Sequence, residues 1–166
     1  GSQVAQPVID AVVSSLRYRH RSVVGSKTKA AARETLRKIL GAEKDSIFLG
    51  PNATSLLAAL ADKYVQLGLL TATDEVVIST ENHLANFEPW MRAAKASGST
   101  VKLWTPFAKK DSHSTNGFVS SRNLQDLITS KTRIVAIPHA SNILGQIRDI
   151  ASLTNLIKAR SEEHAH

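Results

Sequence analysis

Residues 75–86 read Glu75-Val76-Val77-Ile78-Ser79-Thr80-Glu81-Asn82-His83-Leu84-Ala85-Asn86. The first five form a β-branched run and predict a strand. Small and polar residues follow, up to Asn86. That asparagine is suited to cap a helix whose first turn holds Glu88 and Pro89, and Gly98 is the natural end of the helix. A strand that passes through a short polar loop into a helix is half of a βαβ unit.

The same alternation continues in both directions. Upstream, Gln6-Pro7 opens a helix in which Val8, Val12 and Leu16 share a face. A loop is expected from Arg19 to Ser26, then a helix over 28–40 that Gly41 stops. Ile47-Phe48-Leu49 reads as a short buried strand broken by Gly50-Pro51. A helix begins near Ser55, carries Leu56, Leu57, Leu60, Tyr64 and Leu67, and ends at Gly68. Downstream, residues 100–104 predict a strand, 105–121 a loop, 123–128 a short helix and 134–137 a fourth strand. A last helix over 149–160 turns Leu153, Leu156 and Ile157 inward. Four mostly parallel strands interleaved with helices predict a three-layer α/β/α fold with a mainly parallel sheet.

Length and composition agree with that fold. The chain has 166 residues, 42% of them hydrophobic and 21% charged, which excludes disordered and collagen-like classes. No apolar run reaches the roughly 18 residues of a membrane span, so no membrane partner is expected. There is no cysteine, hence no disulfide, thiolate nucleophile or Cys-type zinc site. The chain begins Gly1-Ser2-Gln3 without a basic n-region or an apolar h-region, so a cytoplasmic protein is expected. The missing initiator Met implies a cut N-terminus or numbering that starts inside a longer protein. The formal net charge is +7, with Arg17, Arg19, His20 and Arg21 the densest cluster. Such charge suits nucleic acid or anionic ligands, or is simply a solvated surface. No nucleic-acid motif accompanies it and aromatics are only 5% of the chain, so no nucleic-acid partner is expected.

In open parallel sheets, ligands bind beyond the carboxyl ends of the strands. Three polar stretches follow strands here: Gly50 to Ser55, Glu81 to Asn86, and Pro138 to Gly145. Asn52-Ala53-Thr54-Ser55 lies at a helix start, where free N–H groups and hydroxyls can cradle a phosphate or simply cap the helix. His83 can stack on a ring, act as acid or base, bind a metal, or be a hydrogen-bonded loop residue. No second ligand stands at metal-binding spacing from it, so no metal is expected. His139 is a weaker candidate of the same kind. Asn142 can donate to an oxyanion or phenolate, or serve as a turn residue.

Together these segments resemble the class-V aminotransferase family, and within it the cysteine-desulfurase-like branch. Four strings carry the resemblance. The opening segment from Gly1 to Asp10 is similar to the one that follows the family's first short strand. Asn52-Ala53-Thr54 is similar to the family's phosphate turn. His83-Leu84-Ala85-Asn86 with Pro89-Trp90 resembles its His-x-Ala-Asn-x-x-Pro-Trp signature. Ser141-Asn142-Ile143-Leu144-Gly145 resembles its Ser-Asn-x-x-Gly turn. The resemblance covers essentially the whole chain. It implies a pyridoxal 5′-phosphate (PLP) enzyme of fold type I, dimeric when intact and acting on a small amino acid by desulfuration or C–S lyase chemistry. It implies that Ala53 and Thr54 hold the phosphate, that His83 stacks on the pyridine ring, and that Asn142 bonds the phenolic oxygen.

The resemblance also implies what this chain lacks. The family's carboxylate for the pyridine nitrogen and its Schiff-base Lys lie beyond the point matched by His166. The expectation is therefore an N-terminal helical segment over 1–40 and the first half of a PLP-binding large domain over 41–166. That large domain is incomplete, so PLP is expected to bind only with the missing half, and no catalytic residue lies in this chain alone. Two alternatives stand beside it: a non-catalytic remnant or interaction module of the same fold, and a basic nucleic-acid-binding domain.

Overall fold

The computed structural model describes residues 3–17, 23–43, 46–105, 122–143 and 145–163. By its contacts the chain divides into two units, residues 1–50 and 51–166. The first holds α1 (Gln6–Arg17) and α2 (Val23–Leu40). The polar spacing of α1 leaves Val8, Val12 and Leu16 along one side, yet none of its residues is buried. Helix α2 starts at Val23, inside the segment expected as loop. Residues 47–49 belong to no strand, which corrects the expected first strand. An apolar segment becomes a strand only when a neighbour takes its ladder bonds. Among the described residues no strand pairs with it.

The second unit runs α3 (Ala53–Gln66), β1 (Glu75–Ser79), α4 (Glu88–Ser97), β2 (Thr100–Trp104), α5 (Arg122–Gln125), β3 (Thr132–Ala136) and α6 (Ile150–Glu163). The described sheet has three strands in the order β2-β1-β3, and both pairings are parallel. β1 is central because its Val76, Val77 and Ile78 are fully buried, as an apolar strand covered on both faces requires. Its residues alternate between two cores. Val76 and Ile78 pack with Ala61 of α3 and with Trp90, Ala93 and Ala94 of α4. Tyr64 meets Trp90 edge-on, the ring centroids 5.8 Å apart. Val77 and Trp104 pack with Leu124, Ile128 and Leu153 on the opposite face. Helices thus cover both faces of a parallel sheet, as the three-layer reading expects. The loop expected over 105–121 lies outside the described residues except for Thr105.

β3 begins at Thr132, two residues before the expected start, because Thr132 and Arg133 extend the ladder beyond the apolar core of the strand. Glu75 closes this end of the sheet. Its carboxylate accepts from Lys102 Nζ at 2.7 Å and from Thr129 Oγ1 at 2.6 Å. Among the described residues, no helix is long and apolar enough to cross a membrane.

Candidate functional site

β1, β2 and β3 end at Ser79, Trp104 and Ala136. Because they are parallel, these ends form one edge of the sheet. The chain leaves β1 through a tight turn in which Asn82 N–H donates to the Ser79 carbonyl at 3.2 Å. A 3-10 turn at Leu84–Asn86 then leads into α4. His83 caps that turn, its Nδ1 accepting from the Ala85 N–H at 3.1 Å. With Nδ1 engaged as an acceptor, a neutral ring carries its proton on Nε2.

A chain of side-chain bonds fixes this loop. Trp90 Nε1 donates to Asn86 Oδ1 at 3.2 Å. Asn86 Nδ2 donates to Asn82 Oδ1 at 3.0 Å. Asn82 Nδ2 donates to the Ala136 carbonyl at 2.8 Å, tying the loop after β1 to the end of β3. Asn86 is therefore not the cap of α4. Phe87 occupies that position without a side-chain bond, because the Asn86 carboxamide is committed to Trp90 and Asn82.

Helix α3 begins at Ala53, two residues earlier than expected. Asn52 caps it, with Oδ1 accepting from the Ser55 N–H at 2.8 Å. The N–H groups of Ala53 and Thr54 precede the first intrahelical acceptor and sit at the positive end of the helix. Thr54 and His83 line one cavity of about 220 Å³ together with Ala58, Ala85, Glu88 and Arg92. Ala53 and Asn142 are not among its lining residues. Asn142 is exposed in the turn after β3, at the same sheet edge. That turn closes through Ser141 N–H to the Gln146 carbonyl at 2.9 Å and Gly145 N–H to the Ser141 carbonyl at 2.9 Å. His139 is exposed, and its carbonyl accepts from the Arg148 N–H.

The structure thus joins Thr54 to His83 and leaves Asn142 on a neighbouring turn. Sequence reading missed Glu88 and Arg92, which share the cavity. One turn of α4 separates them, so both face the site, but that spacing is common on any solvated helix. Asp149 caps α6. The hydroxyl and then the N–H of Ser152 bond its carboxylate and hold it below the usual range.

Comparison with known proteins gives a consistent neighbourhood. The family model for aminotransferase class-V matches residues 2–163. The aminotransferase-like protein FGM3 of Gibberella zeae is 33% identical over 129 residues, covering 78% of this chain and 29% of that protein. A probable cysteine desulfurase of Halalkalibacterium halodurans is 31% identical over 126 residues, covering 75% of this chain and 29% of that protein. The solved cysteine desulfurase CsdA of Escherichia coli superposes with a TM-score of 0.67 at 25% identity, over 86% of this chain and 35% of that one. An apo cysteine desulfurase of Thermococcus onnurineus shares the fold, with a TM-score of 0.74 at 22% identity, over 96% of this chain and 40% of that one. The chain thus spans well under half the length of these relatives.

Proposed function

The chain belongs to the class-V aminotransferase family, and from that premise we propose that it carries the phosphate and ring seats of a PLP-dependent enzyme acting on a small amino acid, in the manner of a cysteine desulfurase or C–S lyase. The observation that carries the proposal is the cavity shared by Thr54 and His83. Its chemistry suits PLP. A dianionic phosphate fits the N-terminal end of α3, where the Ala53 and Thr54 N–H groups and the Thr54 hydroxyl donate and the helix dipole adds positive potential. A flat imidazole, held by its Nδ1 bond to Ala85, suits a planar ring. Asn142 offers a carboxamide donor for the phenolic oxygen from the adjacent turn.

When bound, PLP supplies an electron sink for bonds at the amino-acid α-carbon. The residues of this chain bind and orient. Thr54 would anchor one end, while the His83 ring would limit tilt. The Asn82–Asn86–Trp90 bonds keep the histidine turn against β3. The Schiff-base Lys and the pyridine-nitrogen carboxylate are proposed to come from sequence outside these 166 residues. The intact protein is proposed to work as a homodimer.

Titration of the polypeptide as its gene encodes it with PLP, followed by tryptophan quenching, tests this. Saturable binding is expected, weakened by Thr54→Ala and by His83→Ala and competed by inorganic phosphate. In the 166 residues alone, borohydride is expected to label no single Lys. Absence of saturable binding, or binding indifferent to both substitutions, overturns the proposal.

A further inference from the structure

Glu81 and Arg148 form an ion pair at the base of the two turns. Glu81 Oε2 accepts from Arg148 Nη2, and the two side chains are only 2% and 10% exposed. The Arg148 guanidinium also lies over the Trp104 ring, 4.9 Å from its centroid. Among the described residues, buried Glu81 Oε1 takes no hydrogen bond. Glu81 stands two residues before His83. Arg148 closes the turn that carries Asn142, through its N–H to the His139 carbonyl at 2.8 Å. Neither residue lines the cavity of Thr54 and His83.

A buried ion pair is a weak source of stability, because desolvation offsets most of the attraction. Here one carboxylate oxygen is unsatisfied as well, which adds a further cost. An apolar pair of similar volume would serve the core equally well. What an ion pair adds is direction: it joins two particular backbone turns at one separation. The Asn82 bond ties the loop after β1 to the end of β3, and Glu81–Arg148 ties the same loop to the turn that follows β3. We propose that Glu81 and Arg148 are positioning residues, a clasp that sets the His83 turn against the Asn142 turn so that ring and phenolic oxygen are held together. The proposal rests on the PLP reading of the site.

The test uses the polypeptide as its gene encodes it, with PLP as the probe. Three quantities are read: PLP affinity, visible circular dichroism of the bound ring, and the melting temperature without PLP. Glu81→Gln with Arg148→Met removes both charges and keeps volume. Leu70→Ala, a cavity in the opposite core, lowers the melting temperature without touching the clasp. The double variant is expected to bind PLP roughly tenfold more weakly, the size of a coupling between contacting residues, and to change the dichroism. Leu70→Ala is expected to keep both. Arg148→Lys retains the charge and is expected to recover part of the affinity; if the double variant does not fold, Arg148→Lys is compared with wild type instead, a loss of affinity being expected and wild-type affinity and dichroism overturning the clasp.

Wild-type affinity and dichroism in a folded double variant overturn the clasp, as does a loss that follows melting temperature in Leu70→Ala as well. If those variants bind normally while Thr54→Ala and His83→Ala do not, the clasp alone fails. If the wild-type polypeptide does not bind PLP, the functional reading fails and takes the clasp with it.

Discussion

Single side chains decide how the two ends of the site are held. Asn52 is the clearest case, because its Oδ1 satisfies the Ser55 N–H at 2.8 Å and so fixes the start of α3, where the phosphate seat is proposed. Asn52→Ala is expected to cost about 1 kcal/mol, and Asn52→Gly only a few tenths, measured by urea melts. At the other end of the sheet, burial alone would raise the Glu75 carboxyl. The bonds from Lys102, Thr129 and Thr132, with the Lys102 charge, outweigh it and hold the group below its usual value of 4.5. A carboxyl depressed by folding stabilises the protein fully above its unfolded value. That contribution fades as pH falls through the folded one. Wild type is therefore expected to lose stability below about pH 4.5 more steeply than Glu75→Gln, read from melts between neutral and acid pH. Equal slopes would show that the network around Glu75 does not respond to its charge. That Thr54 and His83 line one cavity was legible because His83 follows a strand and Thr54 opens a helix. Glu81 and Arg148 were not, since nothing local marks two charges far apart in sequence as partners.

Elements were legible wherever their stabilising contacts are local or their apolar pattern is complete. β1 and β2 both lie at the residues expected, β1 because a strand buried on both faces reads as one apolar run, although β2 is largely half-buried or exposed. Residues 47–49 have the same character and form no strand, since strand formation depends on a neighbour that no local pattern reveals. The order β2-β1-β3 is equally hidden, being a consequence of packing between distant segments. α4 shows a boundary set by both kinds of signal. Its cap is Phe87 and not Asn86, because the Asn86 carboxamide bonds Trp90 and the Asn82 that is tied to β3. Its end fell where expected, because Gly98 has φ 76°, a conformation that side chains rarely adopt. An added Cβ there would also meet Ala72 Cβ at 3.3 Å. Gly98→Ala is expected to destabilise by about 1 kcal/mol or more, and Gly68→Ala, with the same backbone sign but open space, by less. A reversed order in paired thermal melts would show that the Ala72 contact relaxes freely.

Across the whole chain, protection should follow the number of partners each element has. β1 lies between two strands, and its Val76, Val77 and Ile78 are fully buried. Each burial is worth roughly 1.5–3 kcal/mol, so opening β1 means opening both cores. Among the described strands, β2 and β3 each pair on one side only, and β2 keeps just Trp104 fully out of solvent. Helix α1 has 12 residues and none is buried. A helix of that length is marginal in water without a packed face. Amide hydrogen exchange on the 166-residue chain should therefore rank β1 slowest, β2 and β3 intermediate and α1 fastest, with α1 exchanging in the earliest time points. The ranking bears on the site because His83 follows directly from β1: the ring seat would hang from the most protected strand. The proposed phosphate seat would be carried by α3, packed on that strand's core through Ala61. If α1 instead proves as protected as β1 in dilute solution, its apolar side is covered in solution. If β1 exchanges as fast as β2 and β3, the two cores do not close around a common centre, and the rigid platform assigned to His83 is lost.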